Sequence, residues 1–218
     1  MRTDDLIVEL ARSAGPIRPL PRPSVRLAQW TAAVVPLTAV CVMVIGPRRD
    51  VLHAIQQSTF VGIAAATLAT AVLSVAAAFV LSIPAGERSP LQRMVPLVAL
   101  GVWVLVLAVM LTTEGDSTRR LMALPLHSLC VIEIVGLGLV PGWALFAMLR
   151  RAAPLRRSWS GGLATLAAVA VGAAATQFLC PLDDPAHHLV GHVLPVAVFA
   201  VFGAIAGRRT LDWLPHLQ

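Results

Sequence analysis

Three cysteines (Cys41, Cys130 and Cys180), four histidines (His127, His187, His188 and His192) and the carboxylate Glu133 are the residues best suited to chemistry in an otherwise apolar chain of 218 residues. Three uses fit them. Two thiols can close a disulfide where their Cα atoms come within about 4.4–6.8 Å. Thiolates beside imidazoles can hold a soft or borderline ion such as zinc, cadmium or copper(I). A thiol of low pKa can react directly with an oxidant. Spacing alone selects none of these. There is no Cys-x-x-Cys pair, and His188 with His192 is the one close ligand pair at i,i+4. Packing is the remaining use, because cysteine is small enough for helix contacts and histidine can face headgroups. Cys41, embedded in Ala39-Val40-Cys41-Val42-Met43, takes that reading.

Topology is what can bring such distant residues together. Six apolar runs fill most of the chain: Leu27–Gly46, Phe60–Ile83, Met94–Thr113, Leu124–Leu149, Gly161–Cys180 and Leu189–Gly207. Each is near the roughly 20 residues that a helix needs to cross a bilayer. Glu133 is the one side chain within them with an unambiguous formal charge. With 57% hydrophobic and 13% charged residues and a mean hydropathy of +0.80, the composition is far from the quarter-charged norm of soluble domains. The fold class expected is an all-α integral membrane protein, a six-helix transmembrane bundle with a short cytoplasmic amphipathic helix at its N-terminus. Residues 1–26 form the tail, 27–207 the bundle and 208–218 a second cytoplasmic tail.

The 17 basic residues outnumber 11 acidic ones, which in a soluble chain would suggest nucleic acid. Here they sit at the ends of apolar runs and report orientation instead, so no direct nucleic-acid contact is expected. All are arginine. With the N-terminus inside, 13 fall on the inner face and only Arg48, Arg49, Arg119 and Arg120 on the outer. That bias places both termini in the cytoplasm. Trp30, Trp159 and Trp213 flank span ends on the inner face, where interfacial anchors belong, and simple helix-end packing is equally compatible with their places. The first run follows a 26-residue tail and lacks a convincing cleavage site, so it reads as a retained anchor. In this orientation all three cysteines lie towards the oxidising outer side, with His127, Glu133, His187, His188 and His192 at similar depth. Glu133, costly in lipid, should face the bundle or be protonated, a helix–helix hydrogen bond being its plainest role. Gly203 with Gly207, and Gly136 with Gly138, should let helices approach closely.

The tail has its own pattern. Leu6, Ile7, Leu10, Ala11 and Ala14 share one face of a helix over residues 3–14, with Arg2, Asp5, Glu9 and Arg12 on the other. Thr3 can cap its start, Asp4 and Asp5 complement the helix dipole, and Gly15-Pro16 ends it. About twelve residues make a marginal helix in water, so it needs a partner surface. A membrane-surface helix would want a basic polar face, whereas Asp4, Asp5 and Glu9 nearly offset the local arginines. A protein groove anchored by Leu6, Ile7 and Leu10 fits better. The segment Pro16–Pro23 that follows reads as an extended polyproline spacer.

These features together resemble the six-helix membrane anti-sigma factors of the NrsF type, negative regulators of extracytoplasmic-function sigma factors in Gram-negative bacteria. The resemblance covers essentially the whole chain. It rests most on Thr3-Asp4-Asp5-Leu6-Ile7 with Leu10-Ala11 and the Pro-rich spacer, and on Cys180-Pro181-Leu182-Asp183-Asp184-Pro185 with His192 downstream. Arg49-Asp50 and the lone Cys130 of the fourth span also fit. Several expectations follow from it. Asp4, Asp5, Leu6, Ile7 and Leu10 would bind an extracytoplasmic-function sigma factor, and Cys130 with Cys180 would sense a thiol-reactive metal or oxidant outside. Cys130, Cys180 and His192 would be the ligands of any metal, which would engage the thiols transiently rather than as a resident cofactor. The chain would act in the bacterial inner membrane, its bilayer the second partner, and not as an enzyme. Two other classes remain: a small transporter, for which a polar path and an internal repeat are lacking, and a membrane thiol oxidoreductase, for which single cysteines on separate helices suit turnover poorly.

Overall fold

The computed structural model describes residues 2–13, 19–83, 90–113 and 128–211. Its elements are α1 (Thr3–Ser13), α2 (Pro23–Ile45), α3 (Val51–Ala54), α4 (Ser58–Leu81), α5 (Leu91–Thr113), α6 (Ser128–Arg150), α7 (Arg157–Thr176), α8 (Pro185–His188), a π-helical turn (Leu189–Val193) and α9 (Leu194–Thr210). Among the described residues, six helical segments are long and apolar enough to cross a membrane: α2, α4, α5, α6, α7, and the continuous unit of α8, π-turn and α9. All-helical structure is what lipid demands, because a helix satisfies its own backbone polar groups where no water can.

Boundaries shift from the apolar runs in informative places. The first span begins at Pro23, not Leu27, with the proline at the helix start where its missing N–H is harmless. The last residues of the expected tail therefore belong to the membrane helix. Only residues 19–22 of the expected spacer are described and outside helix; Gly15-Pro16 and Ala14 lie outside the described residues. The fifth span ends as a helix at Thr176, which leaves Cys180 in the following turn rather than on the span itself. His127, Arg119, Arg120 and Trp213 lie outside the described residues.

The bundle is organised around α7. This helix packs against α4, α6 and α9, and buries alanines and glycines on nearly every side, including Ala164, Ala167, Ala170 and Ala173. A helix apolar all round belongs in the interior, and small residues are what let membrane helices touch. At the α7–α9 crossing, a Cβ on Gly161 would sit 2.6 Å from Gly207 Cα, and one on Gly207 2.6 Å from the Arg157 carbonyl oxygen. Gly203 faces Thr165 as closely. On the α6 side, a Cβ on Gly138 would lie 2.8 Å from the Ala168 carbonyl oxygen, and one on Gly172 would overlap the Ile134 carbonyl. Gly136, expected to join this packing, has nothing within 4 Å of its would-be Cβ and contributes none.

The two ends of the bundle are fastened differently. At one end, Arg26 is buried. Its guanidinium donates to Ser82 Oγ at 2.9 Å and to the Met148 carbonyl at 2.6 Å, and stacks over Phe79 at 4.4 Å. It thus joins the start of α2 to the ends of α4 and α6. Trp30 is a core residue, not an interfacial anchor: it is buried and donates from Nε1 to the Pro141 carbonyl at 3.1 Å. Trp159 is half-buried under the Arg93 guanidinium, 5.3 Å from its ring centre. Replacing Arg26 with leucine removes two charge-assisted hydrogen bonds from a buried site. The expected loss is about 1.5–3 kcal/mol, to be read by equilibrium unfolding in mixed micelles; an unchanged midpoint would mean the Arg26 contacts carry nothing.

Candidate functional site

The opposite end holds the thiols. Cys130 lies in the first turn of α6, and Cys180 in the turn after α7; both are buried, and both are free thiols. The Cys130 thiol donates towards Cys180 Sγ across 3.8 Å. His187 Nε2 lies 3.6 Å from Cys130 Sγ and 3.4 Å from Cys180 Sγ. With His192 added, four ligand atoms lie within 4.8 Å of one another. The cluster brings Cys130, Cys180 and His192 together and adds His187, which the expected ligand set lacked. Cys41 stays on α2, partly exposed and outside the cluster.

Local structure explains the choice of His187 over His188. Asp184 caps α8, its Oδ1 accepting from Ala186 N at 2.7 Å and His187 N at 3.4 Å, and Pro185 opens the helix at a position where no N–H is needed. The helix then widens into the π-turn Leu189–Val193. A π-turn bonds i to i+5, which adds a residue to the local repeat. Residues 187 and 192, five apart, can then offer ring nitrogens to the same spot. The i,i+4 pattern that pairs His188 with His192 in an ordinary helix places their ring centres 4.6 Å apart, but His188 does not join the thiols. Gly191 leaves room for the arrangement, since a Cβ there would press to 3.2 Å from His187 Cε1. His192 is 0% exposed, and neither of its ring nitrogens has a hydrogen-bond partner.

The turn carrying Cys180 is clamped by Arg48, a residue the sequence marked only as an outer-face charge. Its backbone N–H donates to the Phe178 carbonyl at 2.8 Å, and its Nη1 to the Cys180 carbonyl at 3.1 Å. The guanidinium is also bidentate twice over. It meets Asp50 at 2.8 and 2.7 Å and Asp183 at 2.6 and 2.6 Å. Arg49, its neighbour, is exposed. Its hydrogen bonds to Asp50 and then to Asp183 hold the guanidinium charged more firmly than usual. The reciprocal bond from Arg48 holds the Asp50 carboxyl down at about 2, against an ordinary 3.8. A carboxylate with a lowered folded-state pKa stabilises the fold above the unfolded value and loses that contribution as pH falls through the folded one. The Arg48–Asp50 share of stability should thus be complete at neutral pH and vanish between about pH 4 and 2. Melting curves of the wild type and Asp50→Asn should converge across that window; parallel curves would contradict the assignment.

Glu133 sits one turn after Cys130 and is half-buried. Among the described residues no hydrogen bond reaches it. A polar contact does link α4 to the turn after α7 at this end: Gln177 Nε2 donates to Thr67 Oγ1 at 2.9 Å, with both residues buried.

The tail helix α1 is of another kind. From Arg2 to Arg12 every residue is exposed, including Asp4 and Asp5 in the first turn. Ile7 and Leu10 are each 59% exposed, beside exposed Leu6 and Val8. The start is held by Asp5 Oδ2 accepting from Arg2 N at 3.2 Å.

These features define a multi-pass helical membrane protein with a buried thiol–imidazole cluster at one end of its bundle and an exposed amphipathic helix ahead of its first span. The chain belongs to the NrsF family, described as negative regulator of sigma F, whose model matches residues 10–213. The chain is therefore a negative regulator with a sigma factor as its partner. The match takes in the thiol cluster, Arg48 and all six spans, and within α1 it begins at Leu10. No curated protein and no solved structure matches the chain.

Proposed function

We propose that the chain is a membrane anti-sigma factor that holds an extracytoplasmic-function sigma factor through α1 and releases it when a thiol-reactive metal or oxidant engages Cys130 and Cys180. The family match over residues 10–213 carries this reading. The exposed apolar stripe of α1 supports the docking half: Leu6, Ile7 and Leu10 enter a groove of the sigma factor, while Asp4 and Asp5 meet its basic surface. The arginine bias supports an orientation in the bacterial inner membrane with both termini in the cytoplasm and the thiols outside.

The pairing of sulfurs supports the sensing half. With a peroxide as oxidant, two thiolates, two protons and one peroxide give one disulfide and two waters. The Sγ atoms, 3.8 Å apart at rest, then close to about 2.05 Å. That closure draws the start of α6 towards the turn after α7. The docking half is tested with full-length protein in detergent and a panel of purified extracytoplasmic-function sigma factors. Leu6→Ala with Leu10→Ala removes two anchors worth about 2 kcal/mol each, so the affinity for the cognate sigma should fall at least about 100-fold. Capture at wild-type affinity would place the interface elsewhere.

A further inference from the structure

We propose that Cys130, Cys180, His187 and His192 form a resident zinc(II) site, rather than a thiol pair that meets metal only when stressed. Three of the six separations already match the edges of a coordination tetrahedron, and His192 completes the set within 4.8 Å. Zn–S bonds of about 2.3 Å and Zn–N bonds of about 2.0–2.1 Å imply ligand–ligand edges of about 3.8 Å between sulfurs and about 3.6 Å from sulfur to nitrogen. The cluster shows 3.8 Å between its sulfurs, and 3.6 and 3.4 Å from them to His187 Nε2. Two sulfurs with two imidazole nitrogens are a donor set that selects zinc among common divalent ions.

Burial adds two independent arguments. Zinc with two thiolates and two neutral imidazoles has no net charge, so a site buried beside lipid avoids the heavy penalty of an isolated ion. His192, fully buried, carries two ring nitrogens without a hydrogen-bond partner, and such groups are expensive unless something satisfies them. A metal bond satisfies one of them and explains why a histidine is turned into a cluster of sulfurs. Four protein ligands also leave no open coordination position, the mark of a structural rather than a catalytic zinc. The ion would staple the first turn of α6 to the Cys180 turn and to the π-turn that leads into α9. Its bearing on regulation rests on the sensing role proposed above: whatever removes the thiolates, by oxidation or by a more thiophilic ion, unfastens three segments at once.

Metal content tests the site with no sigma factor present, so its failure and the failure of the anti-sigma reading are separate results. Full-length protein purified in detergent without chelator should carry about one zinc per chain. Cobalt(II) substituted into it should give the intense visible bands and thiolate-to-metal charge transfer of a tetrahedral centre. His187→Ala and His192→Ala should each lose the ion and those bands, with affinity reduced more than the about 10–100-fold typical of an outer-shell change. His188→Ala and Cys41→Ser, outside the ligand set, should keep both. Wild-type protein that takes up neither zinc nor cobalt in tetrahedral form would overturn the proposal without reference to any variant. So would His187→Ala and His192→Ala proteins that bind both as the wild type does.

Discussion

Arg48→Met should destabilise the bundle by about 2–4 kcal/mol and open the thiol cluster to reagents in water. Breaking a buried ion pair typically costs about 3–5 kcal/mol, because one partner is left charged and unpaired. The Arg48 side chain is 2% exposed, but its partners are not equally buried: Asp50 is 51% and Asp183 39% exposed. Water can rescue part of each carboxylate, which lowers the figure. The backbone partners fare worse, since the Cys180 carbonyl loses the donor that the guanidinium supplied. Arg48→Lys should recover little, because a single ammonium cannot make two bidentate pairs. The measurements are unfolding in mixed micelles and the rate at which a membrane-impermeant maleimide labels Cys180. Wild-type stability together with wild-type labelling in Arg48→Met would show that the clamp holds nothing.

Gly172→Val should be nearly as damaging, by a different route. A Cβ on Gly172 would overlap the carbonyl oxygen of Ile134 on α6, with the Ile134 carbonyl carbon 2.9 Å away. Both neighbours are helix backbone and neither can rotate aside, so the helices must separate. Overpacked cores usually lose about 1–3 kcal/mol, and a backbone clash belongs at or beyond the top of that range. Ile134 lies one turn along α6 from Cys130, so the separation should also part the two sulfurs. Disulfide formation between Cys130 and Cys180 under mild oxidation would report this, with a much lower yield expected in the variant. Gly136→Ala is the matched control. Its Cβ meets nothing within 4 Å, and alanine favours a helix over glycine by up to about 1 kcal/mol. Equal losses from the two substitutions would show that the α6–α7 contact is not the cause.

How much of this was legible in the sequence depended on the range of the signal. The six spans and the short N-terminal helix follow from length, apolarity and period, properties of contiguous residues, and the structure has them. The gathering of Cys130 with Cys180 followed from counting spans, since alternate crossing brings the start of one and the end of the next to one face. His187 stayed outside the expected ligand set because the resemblance supplied only Cys130, Cys180 and His192; the one spacing rule in play, i,i+4, points to His188 and assumes a regular helix, which the π-turn at Leu189–Val193 replaces locally. Its one hint in the chain is the five-residue interval between His187 and His192 across Gly191. Arg48 was read as topology because its acceptor Asp183 is 135 residues away, although two acidic residues directly after Cys180-Pro181-Leu182 were a signal of a counter-charge. Trp30 was read as an interfacial anchor with helix-end packing as the alternative, and the structure takes the packing. Hydropathy fixes the depth of a side chain in the bilayer but not the face of the helix on which it lies.

The continuity of α2 has a mechanical consequence. Twenty-three helical residues make a rod about 35 Å long, with Arg48 just beyond one tip and the tail joined to the other. The rod is pinned at Trp30 by the bond to Pro141, about 10 Å from the tail end and about 22 Å from the far end. Arg26 holds the same rod nearer the tail, and Arg48 fixes the chain just past the far tip, so the thiol end and the tail end share one stiff strut whose single built-in joint is Pro36.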